Sequence, residues 1–444
     1  MRNSCPATIR LMPVRVRIAP SPTGFAHIGT AYMGLFNWAF ARKNHGVFIL
    51  RLEDTDQKRH VPEVEQAIYD ALEWLKIEPD ESPTAGGSFG PYRQSERLDR
   101  YRAQTTQLLN SGAAYEKEGA IWLRMSGDGV LSWNDAVRGE ISFDASNLKD
   151  WVLVKSDGFP TYNFANVIDD LDMKITHVLR GEEHISNTPL QLSVYRALKE
   201  TPPIMGHLPV LRGSDHKKLS KRRDPVSLLW FREQGYLPDA ILNFLALQGW
   251  SHPEEKDVFS KEEFSDLVTL ERIRTSAPMF DFKKLDWLNG HYIRATSDDQ
   301  LARLIEKEGK MKISDELLTK TLPLIKDRLR KLSEFPDLVS YFVTAPTVDP
   351  TLLAAQSKKE SKKIKTVLDH IISSYEKLDN WTVQELENAG HTLLKETGWT
   401  PRELFMTIRV AVTGRTATPP LSEVLEILGK QEVVRRLKIA LSSW

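Results

Sequence analysis

"VRVRIAPSPTGFAHIGTAYMG", running from Val14 to Gly34, decides the fold. Val14, Val16 and Ile18 alternate with Arg15 and Arg17, the period-2 pattern of a strand. Pro20, Pro22 and Gly24 break it, and Ile28, Met33, Leu35, Phe36 and Phe40 then recur at helical spacing. A turn that only reverses the chain needs no such crowd of prolines, hydroxyls and glycines around a histidine. Strand, turn and helix N-terminus is where α/β proteins place phosphate, because unpaired backbone N–H groups and the helix dipole favour anions. Neither the Walker loop nor G-x-G-x-x-G is present. What remains is His27, a donor, beside Gly29, whose missing side chain lets a flat base approach the helix backbone. Taken alone, a histidine at a helix start is more often a cap or a surface residue than a ligand-binding group.

Working outward, "GVFILRLEDTD" is a second strand-like run and "VPEVEQAIYDALEWL" is helical. Strand, helix, strand, helix is the βαβ signature of a parallel sheet. From Pro91 to about Phe159 the pattern turns mixed, with "AIWLRM", "EISFD" and "DWVLVK" as short runs, which reads as an insertion. Sheet-like signal resumes with "ITHVLRG" and "LPVLRG", and from Ser227 onward the chain reads as helix. Ser260 to Glu263, Thr382 to Glu385 and Thr400 to Glu403 each fit a capping box. The expected fold is a Rossmann-like α/β domain with a parallel sheet, interrupted by a small α+β insertion and followed by all-α regions. Residues 1–13 form a flexible leader, 14–95 and 160–226 the Rossmann-like domain, and 96–159 the insertion. Residues 227–325 and 326–444 form two helical regions.

Composition bounds the function. At 444 residues about three domains are expected. Lys+Arg and Asp+Glu are both 60, so any basic surface for nucleic acid is local. Cys5 is the single cysteine, which excludes a disulfide framework and a Cys-rich zinc site and fits a reducing cytosol. No apolar run approaches the roughly 20 residues of a membrane span, and "MRNSCPATIRLMP" lacks a signal peptide's apolar core. A cytoplasmic protein with no membrane partner is expected.

A second stretch, "GSDHKKLSKRRD" (Gly213 to Asp224), gathers Lys217, Lys218, Lys221, Arg222 and Arg223 after the strand-like "LPVLR". A basic loop by itself is usually a solvated one. Paired with His27 and Gly29 after the first strand, a mobile basic loop suits a leaving pyrophosphate, tightening as charge develops.

These two stretches resemble the HIGH and KMSKS signatures of class I aminoacyl-tRNA synthetases, as "PSPTGFAHIGT" and "KLSKR". The wider text is similar to the bacterial glutamyl-tRNA synthetases. "LRLEDTD", "GPYRQSER", "PTYNFANVIDD", "VLRGEEHISNTP", "FDFKKLDWLNGHYI" and "AVTGRTATPPLSEVLEILG" carry it in the family's order. Thr30 stands for the last histidine of the first signature, as is usual in the glutamyl branch. The resemblance implies ATP-dependent ligation of L-glutamate to a glutamate tRNA, through a glutamyl-adenylate. No protein nucleophile is needed, since alignment and charge stabilisation do the work. It implies His27, Lys218 and Lys221 around the phosphates, and Gly29, Thr30, Glu183 and Leu211 at the nucleotide. Mg2+ accompanies ATP as part of the substrate complex.

A glutamate site binds two carboxylates and an ammonium, so it needs guanidinium forks and an acid. Arg17, Glu53 and Arg180 fall at carboxyl ends of strand-like runs, where such sheets bind ligands. By residue type alone Arg17 is equally an outward strand residue, and Glu53, Asp54 and Asp56 equally a polar turn or a divalent-ion loop. The resemblance selects Arg17, Glu53 and Arg180 for the pocket, adds Ala19, Ser21, Tyr162 and Asn166, and leaves Asp54 and Asp56 undecided.

It further implies that the insertion grips the acceptor end, that 227–325 contact the stem, and that 326–444 read the anticodon. Lys358, Lys359, Lys362, Trp381 and Arg415 are candidates there, with a surface or core role as likely for each. After Tyr115 the family usually carries a longer, sometimes zinc-binding segment, whereas "YEKEGAIW" passes straight through, so no zinc is expected. A paralogue that modifies a tRNA base would lack the C-terminal helices. A non-catalytic RNA-binding relative would lose phosphate-binding residues, and a glutaminyl enzyme would end in β-barrels. A monomer is expected, and use of the glutamine tRNA stays open.

Overall fold

The computed structural model describes residues 13–22, 26–55, 62–125, 130–144, 146, 148–213, 217, 219, 226–276, 279–308, 311, 313–357 and 360–443. The leader, except Pro13, therefore lies outside the described residues. Contacts divide the chain into two compact units, Met1–Leu288 and Asn289–Trp444.

In the first unit β1 (Arg15–Ile18) and β2 (Val47–Leu50) pair in parallel, with Val16 opposite Phe48 and Ile18 opposite Leu50. Helix α1 (Ile28–Lys43) connects them. The alternation in β1 suggested one wet face, yet all four of its residues are buried. The cause is a core on each side of the sheet. Phe48 and Leu50 belong to a cluster with Leu35, Phe36 and Phe244, whereas Ile49 belongs to another with Phe164, Val178 and Tyr195. A sheet covered on both faces leaves Arg15 and Arg17 no water, so each must find a carboxylate. Helix α1 is likewise buried almost all round, and its one buried amide, Asn37, donates to Met33 O and Leu179 O.

Helices α2 (Pro62–Leu75) and α3 (Leu98–Asn110) follow. Strands β3 (Ala114–Lys117), β4 (Ala120–Leu123) and β7 (Trp151–Val154) make an antiparallel sheet. Between them β5 (Val130–Asp135) and β6 (Gly139–Asp144) form a hairpin. The shortened "YEKEGAIW" is the β3–β4 hairpin, whose two turn residues Glu118 and Gly119 have φ of 53° and 74°. Positive φ at both central positions is the tight turn that matches strand twist, and Gly supplies the second at no steric cost.

Helix α4 (Tyr162–Asp172) leads to β8 (His177–Gly181), and α5 (Thr188–Leu198) leads to β9 (Ile204–Leu208), parallel to β8. Thr176 N donates to Arg15 O, tying this pair to β1. The strand expected at "LPVLR" thus lies earlier, at "IMGHL". Pro209 has no N–H for a ladder, and Val210 N turns instead to Glu182 Oε1 at 3.0 Å. Helices α6 (Leu228–Glu233), α7 (Pro238–Gly249), α8 (Lys261–Leu267) and α9 (Phe282–Ala295) follow.

The second unit is helical throughout its described secondary structure. It contains α10 (Asp298–Glu308), α11 (Asp315–Ile325), α12 (Phe335–Val343), α13 (Pro350–Ser357) and α14 (Ser361–Glu376). It ends with α15 (Val383–Thr397), α16 (Pro401–Thr413), α17 (Leu421–Leu428) and α18 (Lys430–Ser442). Lys326, taken above as the start of the last region, falls inside this unit. Trp381 packs on the unit's core and donates to Leu425 O, and Arg415 pairs with Asp337. Lys362 is exposed, and Lys358 and Lys359 lie outside the described residues. No described helix is long and apolar enough to cross a membrane.

At the three expected caps, Ser260, Thr382 and Thr400 each accept from the N–H three residues on. Only at Thr400 does the partner glutamate, Glu403, also take the cap's own N–H. Glu263 is drawn off to His252 and Lys256 instead. Thr400→Ala is expected to cost about 1 kcal/mol, and Thr382→Ala less. Chemical unfolding of the two variants checks this, and an equal loss would mean that the reciprocal bond at Thr400 adds nothing.

Candidate active site

A cavity of about 410 Å³ opens where β1, β8 and β9 end and α1 and α4 begin. Parallel sheets bind ligands at this end because the chain diverges there and helix N-termini point inward. Of the residues singled out above, Arg17, Ala19, His27, Gly29, Thr30, Tyr162, Asn166, Arg180, Glu183 and Leu211 line it. Two do not. Ser21 is exposed beyond the wall, and Glu53 is buried behind Asn166, whose Nδ2 donates to its Oε1 at 2.8 Å. Lys218 and Lys221 lie outside the described residues, while Leu219 between them lines the cavity.

His27 is the N-cap of α1. Its Nδ1 accepts from Gly29 N at 2.9 Å, which assigns the ring proton to Nε2. A Cβ on Gly29 would stand 3.2 Å from that Nδ1, so the glycine keeps the cap in place as well as baring the backbone. The unpaired N–H groups expected at this helix start are otherwise engaged. Ile28 N donates to Val226 O and Thr30 N to His27 O. The helix therefore offers a ligand its dipole and the His27 side chain rather than open backbone donors.

Three guanidinium groups, from Arg51, Arg17 and Arg180, differ sharply in how their charge is met. Arg51 is sealed away, with Nη1 2.7 Å from Asp170 Oδ1 and its other nitrogens 3.6 Å from Asp169 and Glu53. Arg17 spends Nε and Nη2 on both oxygens of Asp170, at 3.0 and 3.1 Å, and shares Nη2 with Asn166. Its Nη1 makes no hydrogen bond among the described residues, and the side chain lines the cavity. Arg180 is 5% exposed, yet its partners are all neutral. Nε donates to His207 Nε2 at 3.0 Å, Nη1 to Gln191 Oε1 at 2.8 Å and Nη2 to Thr188 Oγ1 at 2.8 Å. No described carboxylate reaches it, and burial pushes its pKa down. A buried cation without a counter-ion is costly, and one that faces a cavity asks for an anion.

The remaining groups are tuned by burial. Glu53 is raised to about 7 by desolvation, only partly offset by Arg51 and Arg17. Burial, and then the Arg180 charge, lower His184 to about 4, so it stands neutral on the wall beside Tyr162. Sequence reasoning passed over His184 and Asp170. A signal for the second existed, because Tyr162, Asn166 and Asp170 are spaced i, i+4, i+8 and share one face of α4. Among the described residues no group of three His, Cys, Asp or Glu is placed to hold a metal ion.

Comparison with known proteins fits this geometry. Residues 13–121 and 116–287 match the model for the catalytic domain of class I tRNA synthetases (E and Q), and 296–441 match an anticodon binding domain. A glutamate–tRNA ligase from Acidothermus cellulolyticus is 41% identical over 97% of this chain and 95% of that protein. Another from Fervidobacterium nodosum is 38% identical over 97% and 99%. The crystal structure of a glutamate tRNA ligase from Elizabethkingia meningosepticum in complex with its amino acid superposes with a TM-score of 0.89. It is 30% identical and covers 97% of this chain and all of its own. Matched from its first strand to its last helix, the chain belongs to the class I tRNA synthetases, in the family of glutamate–tRNA ligases.

Proposed function

We propose that this cavity joins L-glutamate to ATP and passes the glutamyl group to the terminal ribose of a glutamate tRNA. One observation carries the reading: Arg180, a buried guanidinium on the cavity wall that has only neutral partners. It takes the α-carboxylate of the amino acid. Arg17 takes the side-chain carboxylate with the N–H groups that Asp170 leaves over. Glu53 supplies negative charge for the ammonium from behind Asn166, and Tyr162, Asn166 and Ala19 complete the walls.

The nucleotide lies along Gly29, Thr30, Glu183 and Leu211, with His27 donating from Nε2 to its phosphates. An oxygen of the glutamate α-carboxylate attacks the α-phosphorus, and pyrophosphate leaves toward Lys218 and Lys221. The ribose hydroxyl then attacks the acyl carbon and AMP leaves. Mg2+ enters with ATP as part of the substrate, and no zinc takes part. The enzyme works as a cytoplasmic monomer, residues 96–159 holding the acceptor end, 227–325 the stem and 326–444 the anticodon. Parallel charging of purified glutamate and glutamine tRNAs tests the reading and decides whether the second is also a substrate; no charging of the first would refute it.

Loss of Lys221 to alanine is expected to slow activation by roughly two to three orders of magnitude, the scale for one transition-state donor. An unchanged rate of glutamate-dependent ATP–pyrophosphate exchange would remove Lys221 from the site.

Arg180→Leu should weaken glutamate and glutamine activation alike, by about two orders of magnitude for one desolvated charge pair. Arg17→Leu should instead narrow the glutamate-to-glutamine ratio, because only glutamate brings a second carboxylate to bind there. Ratios of kcat/KM decide between these roles, and an unaltered ratio in the Arg17 variant counts against its role.

Glu53 generates a pH prediction. Its ionised form attracts the ammonium, so KM for glutamate should fall as pH rises through about 7. The stability effect has the opposite sense. The folded state keeps the proton from its ordinary 4.5 up to about 7, so stability drops across that window as pH rises. Glu53→Gln should therefore stabilise the protein at pH 8, on the order of 2 kcal/mol, with no gain at pH 4. It should also raise KM at pH 8. Calorimetry at the two pH values reads the first effect, and equal gains at both would show that Glu53 is not protonated by the fold.

A further inference from the structure

Arg180 reaches the cavity from β8, but its orientation is set from farther back. Its Nε donates to Nε2 of His207 on β9 at 3.0 Å. His207 is fully buried, and its Nδ1 lies 2.5 Å from Oδ2 of Asp135, the last residue of β5. The directions of these two bonds leave one arrangement. Nε2 must carry a lone pair to accept from Arg180, so the proton sits on Nδ1 and is donated to Asp135. The chain then runs from carboxylate through imidazole to guanidinium, with the Thr188 hydroxyl 3.3 Å from the same Nε2.

Asp135 is itself held in a fixed orientation. Its Oδ1 accepts from the backbone N–H groups of Val137, Arg138 and His207, each at 3.1 Å, which leaves Oδ2 for the imidazole and, at 3.4 Å, the Trp133 indole N–H. The same hairpin is fastened at a second point. Arg138 donates through Nε to His207 O at 3.1 Å and pairs through Nη2 with Glu182 at 2.5 Å. Asp135 and His207 do not line the cavity.

We propose that Asp135 and His207 are positioning residues for glutamate binding: the inserted hairpin dictates the His207 tautomer, and that tautomer aims the Arg180 fork at the α-carboxylate. The inference rests on the α-carboxylate role proposed for Arg180. It makes a one-atom change decisive. In Asp135→Asn the three backbone N–H groups retain the side-chain oxygen, so the amide NH2 faces Nδ1. The imidazole proton must then move to Nε2, where it meets the Arg180 Nε–H head-on. The same logic makes a catalytic imidazole fail when its orienting carboxylate becomes an amide.

The test uses the full chain and tRNA charging. Asp135→Asn should raise KM for glutamate roughly ten- to hundredfold, the scale known for losing the outer partner of a metal-ligating group. KM for ATP should not change. Nitrogen-15 shifts of selectively labelled histidine should move the His207 proton from Nδ1 to Nε2. His207→Gln provides the second arm, since an amide can rotate its oxygen to Arg180 and has no tautomer to lose. Adding Asp135→Asn to His207→Gln should therefore cost nothing further.

If Arg180→Leu raises KM for glutamate while Asp135→Asn does not, the proposal is overturned and the reading of Arg180 survives. A full Asp135→Asn penalty in the His207→Gln background overturns it as well, because Asp135 would then act without the imidazole. If Arg180→Leu leaves KM for glutamate unchanged, the reading of Arg180 and the proposal both fall.

Discussion

Asp170 is the pin on which the catalytic unit depends. Its two oxygens take both near nitrogens of Arg17 on β1 and one nitrogen of Arg51, just after β2. One carboxylate on α4 thereby sets the position of two neighbouring strand ends. Burial alone would raise its pKa, but the two arginines outweigh that and hold it low. The arrangement is self-enforcing, because removing either kind of partner strands a buried charge at a cost of about 3–5 kcal/mol. The neighbouring Asp169 faces away and gathers Arg97, Gln94 and Tyr101, so two consecutive acids tie α4 to different parts of the fold.

From that pin the charge becomes less compensated toward the cavity. Among the described residues Arg51 lies among three carboxylates, Arg17 has one, and Arg180 has none. The gradient separates Arg51, sealed in the interior, from the two arginines that line the cavity, although all three are nearly or wholly buried. It also accounts for Glu53, which desolvation raises despite Arg51 and Arg17 nearby. Among the described residues Arg180 thus lacks an anionic partner, and burial favours the protonated form of Glu53. On the proposed reading, a bound amino acid brings a carboxylate to the first and an ammonium to the second.

Much of this was legible in the sequence, for definable reasons. The break at Pro20 and Pro22, the helix from Ile28 and the βαβ order follow from local periodicity, and the described structure keeps them. Local periodicity left Arg17 equally outward or inward, and all of β1 is buried, because strand pattern reports alternation and not how many faces are covered. It failed at "LPVLR", where Leu208 ends the ladder, Val210 and Leu211 serve the cavity wall and Arg212 bridges to Met279. Ten of the residues named through motif resemblance line one cavity, whereas Ser21 lies outside it and Glu53 behind Asn166. Asp135 and His207 were invisible, because residues 72 positions apart in the chain meet only through the tertiary fold.

The neutral surroundings of Arg180 suit the carboxylate-binding role proposed for it. A carboxylate in direct contact would weaken the guanidinium's pull on a substrate carboxylate and occupy part of its fork, as Asp170 does at Arg17. A bare guanidinium would keep the attraction but lose its aim, since a long side chain held by nothing samples several rotamers. An imidazole between Arg180 and Asp135 resolves the conflict. It fixes Nε through a hydrogen bond while keeping the carboxylate one ring away, so orientation is supplied and charge demand is retained. The stability lost by burying an unpaired cation is offset elsewhere, by the two cores that sandwich the sheet. If the cavity binds an anion as proposed, the cost of burying the Arg180 charge and the gain on binding are linked, because a ligand held only by the folded state stabilises it.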